Sequence, residues 1–239
     1  MASWNMKGLV EFCNVTFGKH KGELVSNVLV SLMWKLNLAR YHADESKEAI
    51  TRLLGDPKDV DPTEIVDLIF EQGNGSEKGK DFFRMQFAAE ANLIACAQSL
   101  HSMADIFGQV IYISLDLDNT LPKAIPKRMQ YLVTINDCMK KNSIAPSIIE
   151  KLDELLESQE YCYLKDFMNV TKHRSLVPAR YTVTFGAEAL HGLQISRLSY
   201  DGRDYDTKWS NDFLDKDVIS VQQKIIEAGI LVNEFLGVN

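Results

Sequence analysis

Residues 81–115 read DFFRMQFAAEANLIACAQSLHSMADIFGQVIYISL, and no proline or cluster of turn residues interrupts them. Phe83, Phe87, Leu93, Ala97, Leu100, Ala104, Phe107 and Ile111 recur there at helical spacing, which predicts one amphipathic helix. Such a helix is about 50 Å long at about 1.5 Å per residue, the length of a bundle's spine.

Upstream, Leu24, Val28, Leu32, Leu36, Leu38, Ile50, Leu53 and Leu54 predict one long helix or two in succession from Glu23, with Met33 and Trp34 in its core. Gly55, Pro57 and Pro62 break it. Asp61 and Pro62 have the chemistry of an N-cap and a first turn, leading into a helix through Ile65, Leu68 and Ile69. Gly73, Gly75 and Gly79 form the next linker. Residues 1–22 are an irregular or partly helical lead-in.

Downstream of a loop at 119–126, Met129, Leu132, Val133 and Ile135 predict a helix that Ser143 to Pro146 ends. Ile148, Leu152, Leu155 and Leu156 begin another, with a break near Ser158, reaching about His173. Past Pro178, residues 181–185 alternate in strand fashion and Asp201-Gly202 is a hairpin turn signal. The expectation for 179–210 is a small β-hairpin insertion. A last helix, started by Asp215 or Asp217, carries Val218, Ile225, Val232 and Phe235. The fold class is mainly α: a helical bundle in one domain, 1–239, with a small β-hairpin before the C-terminal helix.

The chain has 239 residues, 46% hydrophobic and 25% charged, which suits a globular protein. A net charge of −7 opposes a broad nucleic-acid or anionic-membrane footprint, leaving room for a local basic patch. Cys13, Cys96, Cys138 and Cys162 lie too far apart for a zinc or thiol-redox motif, so reduced and mostly buried thiols are expected, with no metal. The apolar runs at 28–38 and 106–117 fall short of the roughly 20 residues that span a bilayer. No leader is apparent, which points to the cytoplasm.

Three constellations carry chemistry. Glu90, His101 and Asp105 share one edge of the spine helix, at about 0°, 20° and 60° around its axis. His101 and Asp105, one turn apart, could share a proton. Second, Asn169, Lys172, His173 and Arg174 combine two cations with amide and imidazole hydrogen-bonding groups, a set that holds an anion such as a phosphate or nucleotide. The same cations offset the negative end of a helix that stops there, with no ligand needed.

The run Asn169-Val170-Thr171-Lys172-His173-Arg174, following Ala88-Ala89-Glu90-Ala91-Asn92 and Leu100-His101-Ser102, resembles helical proteins of the HEPN (higher eukaryotes and prokaryotes nucleotide-binding) type over roughly residues 80–236. The resemblance implies a helical bundle that dimerises. Active members of that group carry an Arg, four to six residues, then His. This sequence has no such spacing before His173, and the gap from Arg180 to His191 is too long, so the resemblance implies the fold and not ribonuclease activity.

The third constellation is 111–120, IYISLDLDNT, which resembles the first motif of haloacid dehalogenase-type phosphohydrolases; the resemblance implies an apolar strand, Asp116 as nucleophile and Asp118 as acid/base, the two sharing Mg²⁺, then Thr120. That fold needs a parallel sheet, whereas the 30 residues before the motif keep a helical period. His42 and His191 have no partner at useful spacing.

The working expectation is an intracellular ligand-binding or regulatory protein, self-associating. Its nucleotide or phosphate site has Asn169, Lys172, His173 and Arg174 on one wall and Glu90, His101 and Asp105 on the other. The cofactor is left open, as is whether the chain is an enzyme. The alternatives are a Mg²⁺-dependent phosphohydrolase and a purely structural or protein-interaction module.

Overall fold

The computed structural model describes residues 4–56, 59–185 and 190–238. Pro57, read above as a helix breaker, lies outside the described residues, as do residues 186–189 of the expected hairpin span and the first three residues of the lead-in. The protein is mainly α with a small antiparallel sheet ahead of the C-terminal helix, as its periodicity predicts.

The elements in chain order are α1 (Met6–Phe17), α2 (Lys19–Leu54), α3 (Pro62–Asn74), α4 (Glu77–Ser114), α5 (Leu117–Thr120), α6 (Leu132–Lys141), α7 (Pro146–Leu156) and α8 (Gln159–His173). Strands β1 (Ala179–Thr184), β2 (Leu190–Ile195), β3 (Leu198–Tyr200), β4 (Arg203–Tyr205) and β5 (Lys208–Trp209) follow, then α9 (Ser210–Asp212), a π-helical turn (Phe213–Asp217) and α10 (Val218–Phe235). The lead-in is more ordered than the sequence suggested. Asn5 caps α1 by accepting from the Gly8 N–H at 2.8 Å, and α1 buries Leu9 and Cys13.

The chain clusters into two compact units. One comprises residues 1–37, 99–162 and 219–239; the other comprises 38–98 and 163–218. In α2 the buried positions Val25, Leu29, Leu32, Leu36, Ala39, Ala43, Ser46 and Ile50 step by three and four residues. Leu93, Cys96, Leu100, Met103, Phe107 and Val110 of α4 do the same. Such stripes let long helices stay in register over many turns.

The first unit packs α1, α5, α6, α7 and the matching parts of α2, α4 and α10. Gly108 of α4 faces α6 so closely that a Cβ there would lie 2.9 Å from Leu132 Cα. Trp4 lies over Gly229, meets Phe107 edge-on at 5.7 Å and donates its indole N–H to Asn233 Oδ1 at 3.2 Å.

The second unit carries the strands. Sheet order is β1-β2-β5, antiparallel throughout, with Tyr181 opposite Leu193 and Val183 opposite His191. The edge strand β1 is covered by helix side chains: Glu90 Oε1 accepts from the Ala179 N–H at 2.8 Å and Gln86 Oε1 from the Tyr181 N–H at 3.1 Å. Strands β3 and β4 form a separate hairpin turned by Asp201 and Gly202, both at positive φ (51° and 77°), as their dipeptide signal predicts.

That hairpin is held to α8 by Asp166. Its carboxylate is fully buried and accepts from Arg203 Nε at 2.7 Å, Arg203 Nη2 at 2.9 Å and Tyr205 Oη at 2.8 Å.

Several readings need correction. Trp34 is 64% exposed, and Phe83 and Phe87 are 52% and 63% exposed, so none of them is core. The buried face of α4 instead passes through Phe82, Met85, Ala89 and Leu93, one position away. Helical structure before α10 begins at Ser210, ahead of both Asp215 and Asp217. The break at Ser158 and the Asp61 cap are found as expected, the cap accepting from the Thr63 N–H at 2.8 Å.

Candidate functional site

The sequence-derived residues fall in both units. Glu90 is engaged by β1 in the strand-bearing unit. His101 and Asp105 belong to the other unit, where His101 Nδ1 and Asp105 Oδ2 are 4.0 Å apart. Asp105 also acts on its neighbour Tyr161, whose hydroxyl is pushed above the ordinary tyrosine range, first by burial and then by that carboxylate.

Asn169, Lys172, His173 and Arg174 occupy the end of α8 and the residue after it. Asn169 is half-buried, and the other three are exposed. Arg174 places its guanidinium over the Tyr200 ring, 4.7 Å from the centroid. Lys172 and His173 sit in the last turn, at the negative end of the helix.

For the phosphohydrolase-like run, residues 111–114 are the last turn of α4 and not a strand. Asp116 adopts a left-handed conformation (φ 53°) as the helix ends, and Lys21 pairs with both Asp116 and Asp118. The carboxylates thus tie the start of α2 to the α4–α5 turn.

A concave site that the sequence reading missed lies wholly within the strand-bearing unit. Its larger lobe, about 490 Å³, is walled by Lys47, Ile50 and Thr51 of α2, by Asp56, Val60 and Pro62, and by Leu190, His191, Asn211 and Asp215. A smaller lobe of about 240 Å³ shares Ile50, Leu190, His191 and Asn211, and adds Tyr181, Leu193 and Trp209. Cavities of this size, apolar with a few placed polar groups, accommodate small organic ligands.

The strand register explains the polar centre. Val183 lies opposite His191 and Tyr181 opposite Leu193, so Tyr181 and His191 are diagonal neighbours on one face. Tyr181 Oη and His191 Nδ1 are 2.8 Å apart. Burial pushes the Tyr181 hydroxyl up to about 12, so it stays neutral at physiological pH and can donate to or accept from the ring. That contact fixes the imidazole plane and leaves Nε2 as its second hydrogen-bonding atom.

Gly192 lies beside Trp209, where an added Cβ would come within 3.6 Å of the indole. Gly192 therefore packs close to the six-membered ring of Trp209, and both border the smaller lobe. Asn211, Asp212 and Asp215 come from the helical turns directly after β5, so one short segment supplies an amide and two carboxylates. Lys47 of α2 is ion-paired with Asp215.

His191 and His42 therefore both have partners, contrary to the sequence reading; His42 Nδ1 lies 2.8 Å from Asn92 Oδ1. The signal for His191 was a strand one. It depends on cross-strand register, which spacing along the chain does not display.

Cys13 and Cys96 are buried, Cys138 and Cys162 half-buried, and all four are free thiols. Burial pushes the Cys96 thiol up to about 12 and also raises Cys13, which opposes a nucleophilic role for either at neutral pH. Among the described residues no group of three or more His, Cys, Asp or Glu side chains is arranged to hold a metal ion, and no helix is long and apolar enough to cross a membrane. No family model matches the chain, and no curated protein or solved structure matches it at a significant level.

Proposed function

We propose that the protein is a small-molecule-binding module and that the His191 cleft is its binding site. The observation that carries this reading is the Tyr181–His191 contact at the junction of two cavity lobes, beside Trp209 and Asn211. A buried, neutral hydroxyl that orients a half-buried imidazole toward a cleft gives directional recognition. Ile50, Leu190, Leu193 and Trp209 supply apolar area for the body of a ligand.

Gly192→Leu tests the assignment, because its side chain would fill the space against Trp209. A library of small heteroaromatic compounds, scored by thermal shift, is expected to give hits with the wild-type chain that Gly192→Leu loses while keeping its far-ultraviolet circular dichroism. Hits that survive in a folded Gly192→Leu protein would place binding elsewhere.

A second reading, an anion site at the end of α8, is favoured by Arg174 standing over Tyr200 with Lys172 and His173 exposed beside it. Stacking pre-orients a guanidinium for phosphate recognition. It ranks second because the helix carbonyl end that these residues flank opposes an anion. On this reading, Lys172→Ala with Arg174→Ala weakens ATP and inorganic phosphate binding in calorimetry; unchanged isotherms would rule it out.

A further inference from the structure

The walls of the His191 cleft mix apolar and polar side chains, and the charged ones are unevenly distributed. Among the described residues, Lys47 is the lysine lining it, against the carboxylates of Asp56, Asp212 and Asp215. The charge on Lys47 is committed, because its ammonium reaches Asp215 Oδ1. Lys216, which does not line the cleft, pairs with Asp212 at 2.6 Å.

The surrounding chain keeps the same sign. Residues 44–56 carry Asp44, Glu45, Glu48 and Asp56 against Lys47 and Arg52. An anionic ligand entering the cleft would have to displace Asp215 from Lys47 and then sit among the remaining carboxylates. A cationic ligand that takes the second carboxylate oxygen of Asp215 leaves the pair with Lys47 in place. The three lining carboxylates against one lysine favour it electrostatically. Asp215 is about half exposed, so a ligand at the mouth can reach it.

The geometry also separates the two ends of such a ligand. Asp215 and Lys47 border the larger lobe, whereas Trp209, Gly192 and Leu193 border the smaller one, and His191, Leu190, Ile50 and Asn211 border both. Building on the assignment of this cleft as the binding site, we infer that its ligand is a cationic amphiphile. Its protonated amine is set against Asp215 and its apolar body lies in the smaller lobe, against Trp209 and Leu193. His191 Nε2 and the Asn211 amide serve polar atoms between the two ends.

Three probes with one ring system and similar chain length isolate the charge: tryptamine (cation), tryptophol (neutral) and indole-3-propionate (anion). Each is titrated into the full-length, isotope-labelled chain at fixed ionic strength, with amide shifts around Trp209 and Asn211 followed by NMR. Tryptamine is expected to bind about tenfold more tightly than indole-3-propionate, with tryptophol between them, as a charge-assisted hydrogen bond implies.

Asp215→Asn should weaken tryptamine about tenfold and leave tryptophol unchanged. Lys47→Ala should tighten tryptamine, because it removes the competing ammonium. Thermal melts confirm that both variants are folded. Equal affinities for the three probes, or an Asp215→Asn protein that binds tryptamine like wild type, would overturn the charge inference while leaving the cleft as a binding site. Shifts at Trp209 and Asn211 with none of the three would overturn both.

Discussion

Asp166 carries its carboxylate with no solvent exposure, and three donors from Arg203 and Tyr205 replace the water it loses. A buried carboxylate stripped of its counter-ion is costly, so Arg203→Ala should destabilise the protein by about 3–5 kcal/mol. Tyr205→Phe, which removes one donor of three, should cost about 1–2 kcal/mol. Urea denaturation reads both; midpoints equal to wild type would mean that Asp166 does not clasp the hairpin. Sequence spacing does not reveal the role of Asp166, because its partners are 37 and 39 residues away on another element. Tyr181 and His191 were hidden for a related reason. Their meeting depends on the register of β1 against β2, and ten residues of separation does not specify a register.

At the scale of elements, helices were the legible part. The periods of α2, α4, α7 and α8, the Asp61 cap and the Asp201-Gly202 turn follow from local chemistry that a sequence displays directly. The facing of α4 was less clear. Apolar residues at 82, 85 and 89 and at 83 and 87 form two adjacent stripes, and periodicity alone does not choose between them. Packing chooses: Phe82 meets Tyr181 edge-on at 5.7 Å, while Phe83 and Phe87 stack on each other in solvent.

Close approaches were likewise hidden, since they involve residues with no side chain. Gly229 of α10 is such a case, because a Cβ there would lie 2.5 Å from the Trp4 ring. Gly229→Ala should expel Trp4 from its seat, break its bond to Asn233 and cost about 1–3 kcal/mol. A lower melting temperature with a shifted Trp4 indole N–H resonance is the expected outcome. A variant with both unchanged would show that Trp4 does not depend on that glycine.

For the whole molecule, composition and charge narrowed the possibilities without locating a site. The net charge of −7 argued against a broad anion-binding surface, and the acid-rich setting of the His191 cleft has the same sign locally. The cleft assembles residues from α2, from the segment before α3, from β2 and from the turns after β5. Convergence from four separated segments leaves no motif in the chain, whereas the Asn169 to Arg174 run was conspicuous because it is contiguous. Being contiguous and charged at a helix end is also what macrodipole compensation produces, so a conspicuous run does not by itself mark a site.

The most direct measurement is an amide and side-chain NMR map of the full-length chain against a mixed-charge fragment library. Perturbations centred on His191, Trp209 and Asn211 are predicted. Perturbations centred on Lys172 and Arg174, or none above background at the cleft, would contradict the assignment.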